Sequence, residues 1–352
     1  MRPLDRELIG AGSSIRTAMA AIDSTGIGIA LMVDSNGRMI GTVSDGDVRR
    51  ALLGGASLAD PVDPFVAREP VTVPEGSDRA AVLDLMRARR LSQIPVVRPD
   101  GVLIGLHVLQ EVLGAETKPN AAVVLAGGRG TRLGKFTAAT PKPMLPVAGR
   151  PILERIILHL VGSGITDIYV SIAHYGDQIE SYFGDGDEFG CRIRYLREDP
   201  ERPLGTGGPL RLLLDRKDVP EQPLVAMNGD LLTSFSVSRI LAAHADSDAA
   251  MTIALREYVH DVPFGVTTLD TEGRIRSIEE KPTCTGLINA GIYVIEPRLL
   301  TRIPVGVAYP ITELAVASID AGERVQGWEL RGEWHDIGRP QEFAKARGER
   351  VD

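Results

Sequence analysis

The residues best suited to chemistry begin at Leu125-Ala126-Gly127-Gly128-Arg129-Gly130-Thr131-Arg132-Leu133, at the end of an apolar run that starts at Ala121 and reads as a strand. A glycine-rich turn in that place lets backbone N–H groups approach phosphate oxygens closely, and the arginines add positive charge. The spacing is not a dinucleotide fingerprint, whose third glycine would fall at Leu133. Nor is it a Walker loop: Gly134-Lys135 would need glycine where Arg129 stands and Ser or Thr where Phe136 stands. A purely structural strand–helix turn would use the same glycines. Thr140-Pro141-Lys142-Pro143 follows, and its prolines stiffen the segment that presents Lys142. Further along, Asp230 follows the apolar strand Leu224 to Met227, and Asp336 follows another short apolar stretch. Ligands of open α/β sheets gather at strand C-termini. Two carboxylates brought together there suit a divalent cation bridging phosphates. Asp230, within Asn228-Gly229-Asp230-Leu231, also suits a turn or a helix cap. Lys281, in Glu279-Glu280-Lys281-Pro282, is a further cation or simply a solvated strand end.

Taken together, the run from Leu125 to Val147 resembles the signature of the sugar-1-phosphate nucleotidyltransferases. The resemblance continues through Leu204-Gly205-Thr206-Gly207-Gly208, Met227-Asn228-Gly229-Asp230, Glu279-Glu280-Lys281-Pro282, Asn289-Ala290-Gly291-Ile292-Tyr293 and Trp334-His335-Asp336-Ile337-Gly338. It implies transfer of a nucleotidyl group from an NTP to a sugar 1-phosphate, with release of pyrophosphate. Two anions must meet in such a reaction, so cations have to screen them and stabilise the leaving pyrophosphate. Arg132 and Lys142 suit that task from the NTP side and Lys281 from the sugar-phosphate side. Asp230 and Asp336 would hold Mg²⁺. The resemblance also assigns Leu125, Ala126, Gly127, Gly128, Gly130, Thr131, Gly205, Thr206 and Asn228 to the nucleotide, and Gly208, Glu280 and Asn289 to the sugar phosphate. Two departures from the family pattern stand out: Gly134-Lys135-Phe136 replaces a proline-containing stretch, and His335 replaces a commonly apolar residue. Neither removes a residue the chemistry needs. The stretch Tyr182-Phe183-Gly184-Asp185-Gly186 is similar to bacterial guanylyltransferases of surface-glycan pathways, which makes GTP the favoured nucleotide. The rival expectation is a sensor or scaffold that binds an NDP-sugar without turnover.

These residues need a scaffold. Beyond residue 120, continuous apolar runs such as Ile168-Tyr169-Val170-Ser171-Ile172 alternate with helical stretches such as Ile152 to Val161 and Asp177 to Phe183. That alternation predicts an α/β, Rossmann-like, mainly parallel sheet covered on both faces. Residues 115–120 are polar and carry proline, and read as a linker between domains at 1–114 and 121–352. The first domain contains a repeat: the hairpin pattern at Leu31 to Gly41 recurs at Ile94 to Gly105, about 64 residues on, with a helix before and after each copy. This repeat resembles a tandem pair of CBS domains, an α/β module that binds adenine nucleotides in several families. Ser44 and Asp47 occupy positions that contact phosphate and ribose in ligand-binding members, whereas Val108 and Glu111 stand there in the second copy. One competent regulatory site, in the first copy, is therefore expected. The paired modules also suggest a homo-oligomer, a dimer or larger.

The chain has 352 residues, 43% hydrophobic and 24% charged, enough to bury two cores. A net charge of −8 argues against nucleic acid as a main partner. Its two cysteines have no metal-type spacing. The charged start and the lack of any long apolar run imply a cytoplasmic protein with no membrane partner.

Overall fold

The computed structural model describes residues 2–4, 6–114, 117–216, 219–347 and 349. Residues 115 and 116 of the expected linker and most of the last five residues lie outside them. The chain divides into two compact units. Met1–Thr117 make most of the first, and Lys118–Leu160 with Ile165–Asp352 make the second.

In the first unit the repeat becomes two three-stranded sheets of one topology. Leu8–Gly10, Ile29–Val33 and Met39–Ser44 form one; Val73–Pro74, Gln93–Val97 and Leu103–Val108 form the other. In each, the first pair is parallel and the second antiparallel. The preceding helices, Ile15–Thr25 and Arg79–Arg89, start on side-chain caps, Ser14 and Asp78, whose oxygens accept otherwise orphaned backbone N–H groups. Their buried faces, Ile15, Ala18, Ala21 and Ile22 in one and Ala80, Val82, Leu83 and Met86 in the other, follow helical spacing. Ile29 and Leu31 of the first copy share one sealed cluster with Leu103 and Leu106 of the second. Each copy thus covers apolar surface that the other alone would leave in water.

The second unit is built on a seven-stranded sheet. Its strands in chain order are β1 (Ala121–Leu125), β2 (Asp167–Ile172), β3 (Arg192–Arg197), β4 (Leu224–Asn228), β5 (Met251–Asp261), β6 (Thr283–Ile295) and β7 (Val325–Glu329). The spatial order is β3-β2-β1-β4-β6-β5-β7. The four strands from β3 to β4 run parallel, while β6 is antiparallel to both of its neighbours. Ala121 to Val124 and Leu224 to Met227 are all buried, as parallel strands covered on both faces must be. From β1 the chain winds outward to β2 and β3, then returns to place β4 on the other side of β1. This reversal leaves a crevice above the C-terminal ends of β1 and β4, where ligands of open α/β sheets bind. Among the described residues no helix is long and apolar enough to cross a membrane.

Candidate active site

The glycine-rich turn leaves β1 directly into that crevice. Gly130 takes a left-handed conformation, φ 63°, that an L side chain rarely adopts. A Cβ there would also crowd Lys142 Cβ at 3.1 Å, so the turn can lie against the lysine only as glycine. Thr137 Oγ1 donates to Gly130 O at 3.0 Å and fixes the turn from behind. Arg129 Nη2 donates to Pro200 O at 2.5 Å, anchoring the turn to the loop after β3.

Lys142 is 8% exposed, and its ammonium pairs with Asp230 Oδ2 and lies 4.0 Å from Asp336 Oδ1. Asp230 follows β4. Asp336 reaches it through a second, two-stranded sheet in which Leu231–Thr233 pairs antiparallel with Trp334–Asp336. Leu231 stands opposite Asp336, and Ile337 N donates to Asp230 O at 3.1 Å. That register brings together two carboxylates more than a hundred residues apart in sequence. Asp230 Oδ1 and Asp336 Oδ1 are sealed from solvent and have no hydrogen-bond partner. Burial, then the charge of Asp230, pushes the Asp336 carboxyl above its usual range, while Lys142 and Arg132 pull it the other way. Two unsatisfied carboxylate oxygens beside a glycine-rich turn are a donor set that a hard divalent cation fits. Among the described residues no group of three or more metal-ligating side chains is assembled, so the remaining ligands would be phosphate oxygens and water.

These groups line one cavity of about 380 Å³, within the range of small-molecule sites. Of the residues expected from sequence, Leu125, Gly127, Gly128, Gly130, Thr131, Arg132, Lys142, Gly205, Thr206, Asn228, Asp230 and Asp336 line it. Ala126 is buried beneath it, its N–H donating to Ser171 O at 3.0 Å. The Thr206 hydroxyl already accepts from Ile311 N at 3.0 Å, so it braces the loop as well as facing the cavity. The residues expected at the sugar phosphate are not brought to this lining. Glu280 and Lys281 are exposed, with Lys281 at φ 48°, between a short strand that ends at Glu279 and the start of β6. Asn289 is turned inward on β6, its amide donating to Tyr293 OH and its oxygen accepting from Gly291 N. Gly208 is buried at the start of the short helix Gly208–Arg211.

Sequence reasoning missed Glu198 and Ser171, which line the same cavity. Glu198 is 8% exposed; its Oε1 accepts from Ser171 Oγ at 2.5 Å and its Oε2 from Leu204 N at 3.0 Å. Burial pushes its carboxyl up, against the effect of those two bonds. In sequence Glu198 sits in the charged run Arg197-Glu198-Asp199, indistinguishable from a solvated loop; only its place just past a strand C-terminus marked it. A Cβ at Gly127 would run into Glu198 Oε1, which Ser171 and Leu204 prevent from moving away. Gly127→Ala is therefore expected to cost about 1–3 kcal/mol of stability and to weaken NTP binding at least about tenfold, read by thermal unfolding and titration calorimetry.

In the first unit, Ser44 and Asp47 form a reciprocal cap on the helix Asp45–Leu53. Ser44 N and Oγ donate to Asp47 Oδ2 at 2.8 and 2.6 Å, and Asp47 N donates to Ser44 Oγ at 3.2 Å. Both side chains are thus engaged with their own helix. A concavity of about 350 Å³ lies in the second repeat, lined by Ser77, Arg79, His107, Val108 and Glu111 among others.

A glycine-rich turn, a buried lysine and paired carboxylates thus meet at the switch point of a mainly parallel α/β sheet, where ligands of such sheets bind. Residues 121–350 match the nucleotidyl transferase family and residues 7–54 and 62–106 match the CBS domain, so the chain belongs to the nucleotidyl transferase family and carries two N-terminal CBS domains. It is 33% identical over 234 residues to the mannose-1-phosphate guanylyltransferase of Mycobacterium tuberculosis, across 65% of this chain and 64% of that protein. It is 30% identical over 239 residues to the UTP–glucose-1-phosphate uridylyltransferase of Synechocystis, across 64% of this chain and 62% of that one. The chain thus spans a little under two thirds of the length of these relatives. Among solved structures it is similar to HddC from Yersinia pseudotuberculosis, with a TM-score of 0.51 and 25% identity, covering 65% of this chain and 98% of that one. A glucose-1-phosphate thymidylyltransferase from Bacillus anthracis, described as putative, matches at the same TM-score with 26% identity, over 65% and 94% of the two chains.

Proposed function

We propose that this protein transfers a nucleotidyl group from an NTP, GTP before the others, to a sugar 1-phosphate, yielding an NDP-sugar and pyrophosphate for glycan synthesis. The observation that carries this is the single cavity in which the turn from Gly127 to Arg132 meets Lys142, Asp230 and Asp336. An oxygen of the sugar phosphate attacks the α-phosphorus of the NTP in line with the bond to the β-phosphate oxygen. The first P–O bond forms as the second breaks, and pyrophosphate leaves. No general base is required, because the attacking phosphate oxygen is already ionised near neutral pH. Backbone N–H groups of the turn and the Arg132 guanidinium orient the triphosphate and take up charge on its oxygens. Lys142, fixed by Asp230, presents its ammonium at the same end without having to reorganise. Asp230 and Asp336 would hold Mg²⁺, which supplies neutralisation of phosphate charge. Lys281 and Glu280 are assigned to the sugar phosphate by the family pattern alone. The relatives named for guanylyl and uridylyl transfer support the reaction class, and that named for mannose 1-phosphate supports GTP.

Pyrophosphate release, measured with Mg²⁺ across four NTPs and a panel of sugar 1-phosphates, tests the proposal. One productive pair upholds it. Binding of NTP or NDP-sugar without release from any pair would replace it with the sensor reading. The CBS pair is proposed to bind an adenine nucleotide and, in a cytoplasmic homo-oligomer, to set the rate. Saturating AMP, ADP or ATP is expected to change turnover by roughly fivefold or more, the usual scale of coupling between sites. Identical kinetics with all three, together with no binding seen by calorimetry, would leave the pair a structural role.

A further inference from the structure

We propose that the two-stranded ribbon between β5 and β6 is a self-association surface, whose apolar face packs on the same face of a second copy of this chain.

The ribbon pairs Val266–Leu269 antiparallel with Ile275–Glu279, and every residue of both strands is exposed. Its register sets Leu269 opposite Ile275 and Thr267 opposite Ile278, on one face. The other face carries Val266 opposite Glu279 and the hydroxyl pair of Thr268 and Ser277, 2.6 Å apart. One face is thus mainly aliphatic and the other mainly polar, the alternation of an antiparallel sheet with one side against a core. Two strands by themselves are marginally stable in water, so such a ribbon needs a cover on its apolar side.

The surface is of the size that a dimer requires. Phe264, Val266, Leu269, Ile275 and Ile278 stand between 40% and 73% exposed. Tyr258 and Val259 of β5 and Leu287 of β6 are exposed on the ladder from which the ribbon springs. These are eight of the sixteen large apolar side chains exposed among the described residues, gathered in less than a tenth of the chain. Singly scattered they would need no explanation, but concentrated they mark an interaction site. At roughly 100 Å² each they present about 800 Å², one partner's share of a stable interface of standard size.

Charge at the rim favours a second copy as that partner. Arg276 lies toward the turn of the ribbon and Glu279 at its base, three residues apart on one strand. A two-fold axis across the ribbon reverses its direction, so Arg276 of each copy comes to the Glu279 end of the other. The aliphatic row between them is its own complement, as an isologous interface demands.

Self-association through this face needs neither nucleotide nor turnover, so its test reads mass and amide exchange. Analytical ultracentrifugation of the full chain is expected to give twice the chain mass, or a multiple of it, at micromolar concentration. Ile278→Lys should halve that mass and raise the dissociation constant by roughly 100-fold or more, since it sets like charges against each other across the two-fold axis. The same change at Ile319, exposed on the helix Ile311–Asp320, should leave the mass as it is. Arg276→Glu alone should weaken the dimer several-fold, and adding Glu279→Arg should restore it, which a folding defect would not allow. In the wild-type chain, hydrogen exchange of residues 264–279 should slow as concentration rises. A chain that is monomeric at every concentration, an oligomer indifferent to Ile278→Lys, or exchange in the ribbon that ignores concentration would overturn the proposal.

Discussion

Replacing Asp230 with Asn is expected to reduce pyrophosphate release by roughly 10²–10³-fold or more, the scale on which removing one charge-stabilising group slows a polar reaction. Asp230 has two tasks in this site. Its Oδ2 holds the Lys142 ammonium, and its Oδ1, sealed and without a hydrogen-bond partner, is the oxygen that would take the proposed Mg²⁺. Asn keeps the shape but loses the charge, so it can neither fix the ammonium nor hold a divalent ion firmly. The Ala variant should be as inactive, but it also strips the partner from a buried lysine, so the Asn variant is the cleaner comparison. Steady-state kinetics should locate the loss in kcat, with an unchanged circular dichroism spectrum. Wild-type rates in Asp230→Asn would remove the metal-site proposal.

Replacing Lys142 with Met should lower both activity and stability. Without the ammonium, Asp230 and Asp336 face each other as carboxylates already short of partners. Breaking a fully buried pair from one side costs about 3–5 kcal/mol. Here the Asp336 side chain is 44% exposed and partly screened, so about 2 kcal/mol is a fairer figure. In a domain of this size that is a fall of about 5 °C in Tm. Millimolar Mg²⁺ should restore most of it, because an ion that binds only the folded site stabilises it by mass action, while turnover stays down by roughly 10²–10³-fold. A Tm that falls and does not respond to Mg²⁺ would mean that the carboxylates serve the lysine alone.

The residues proposed to meet phosphate were legible in the sequence because their signals are local. A glycine-rich turn after an apolar strand, Lys142 between two prolines, and Asp230 just past a buried strand each lie within a few residues of the feature that gives them meaning. The repeat in the first unit was legible for the same reason, since strand and helix periodicities recur in order. The βαβ alternation fixed the mainly parallel sheet, and with it the crevice that a reversed strand order must create.

Tertiary structure decided the rest, because side chains far apart in sequence meet only through pairing registers and cores. The register that sets Leu231 opposite Asp336 brings the second carboxylate to Lys142, and no local pattern encodes it. Glu198 reads as an ordinary charged loop residue until β3 packs beside β2, after which Ser171 and Leu204 hold it buried and aimed. Folding also drew distinctions that residue types alone did not. It engages Ser44 and Asp47 in capping their own helix and opens the concavity in the second repeat. It leaves Glu280 and Lys281 exposed and outside the lining of the cavity. A motif specifies which groups a segment offers; the burial of apolar strands against one another determines which of them share a site.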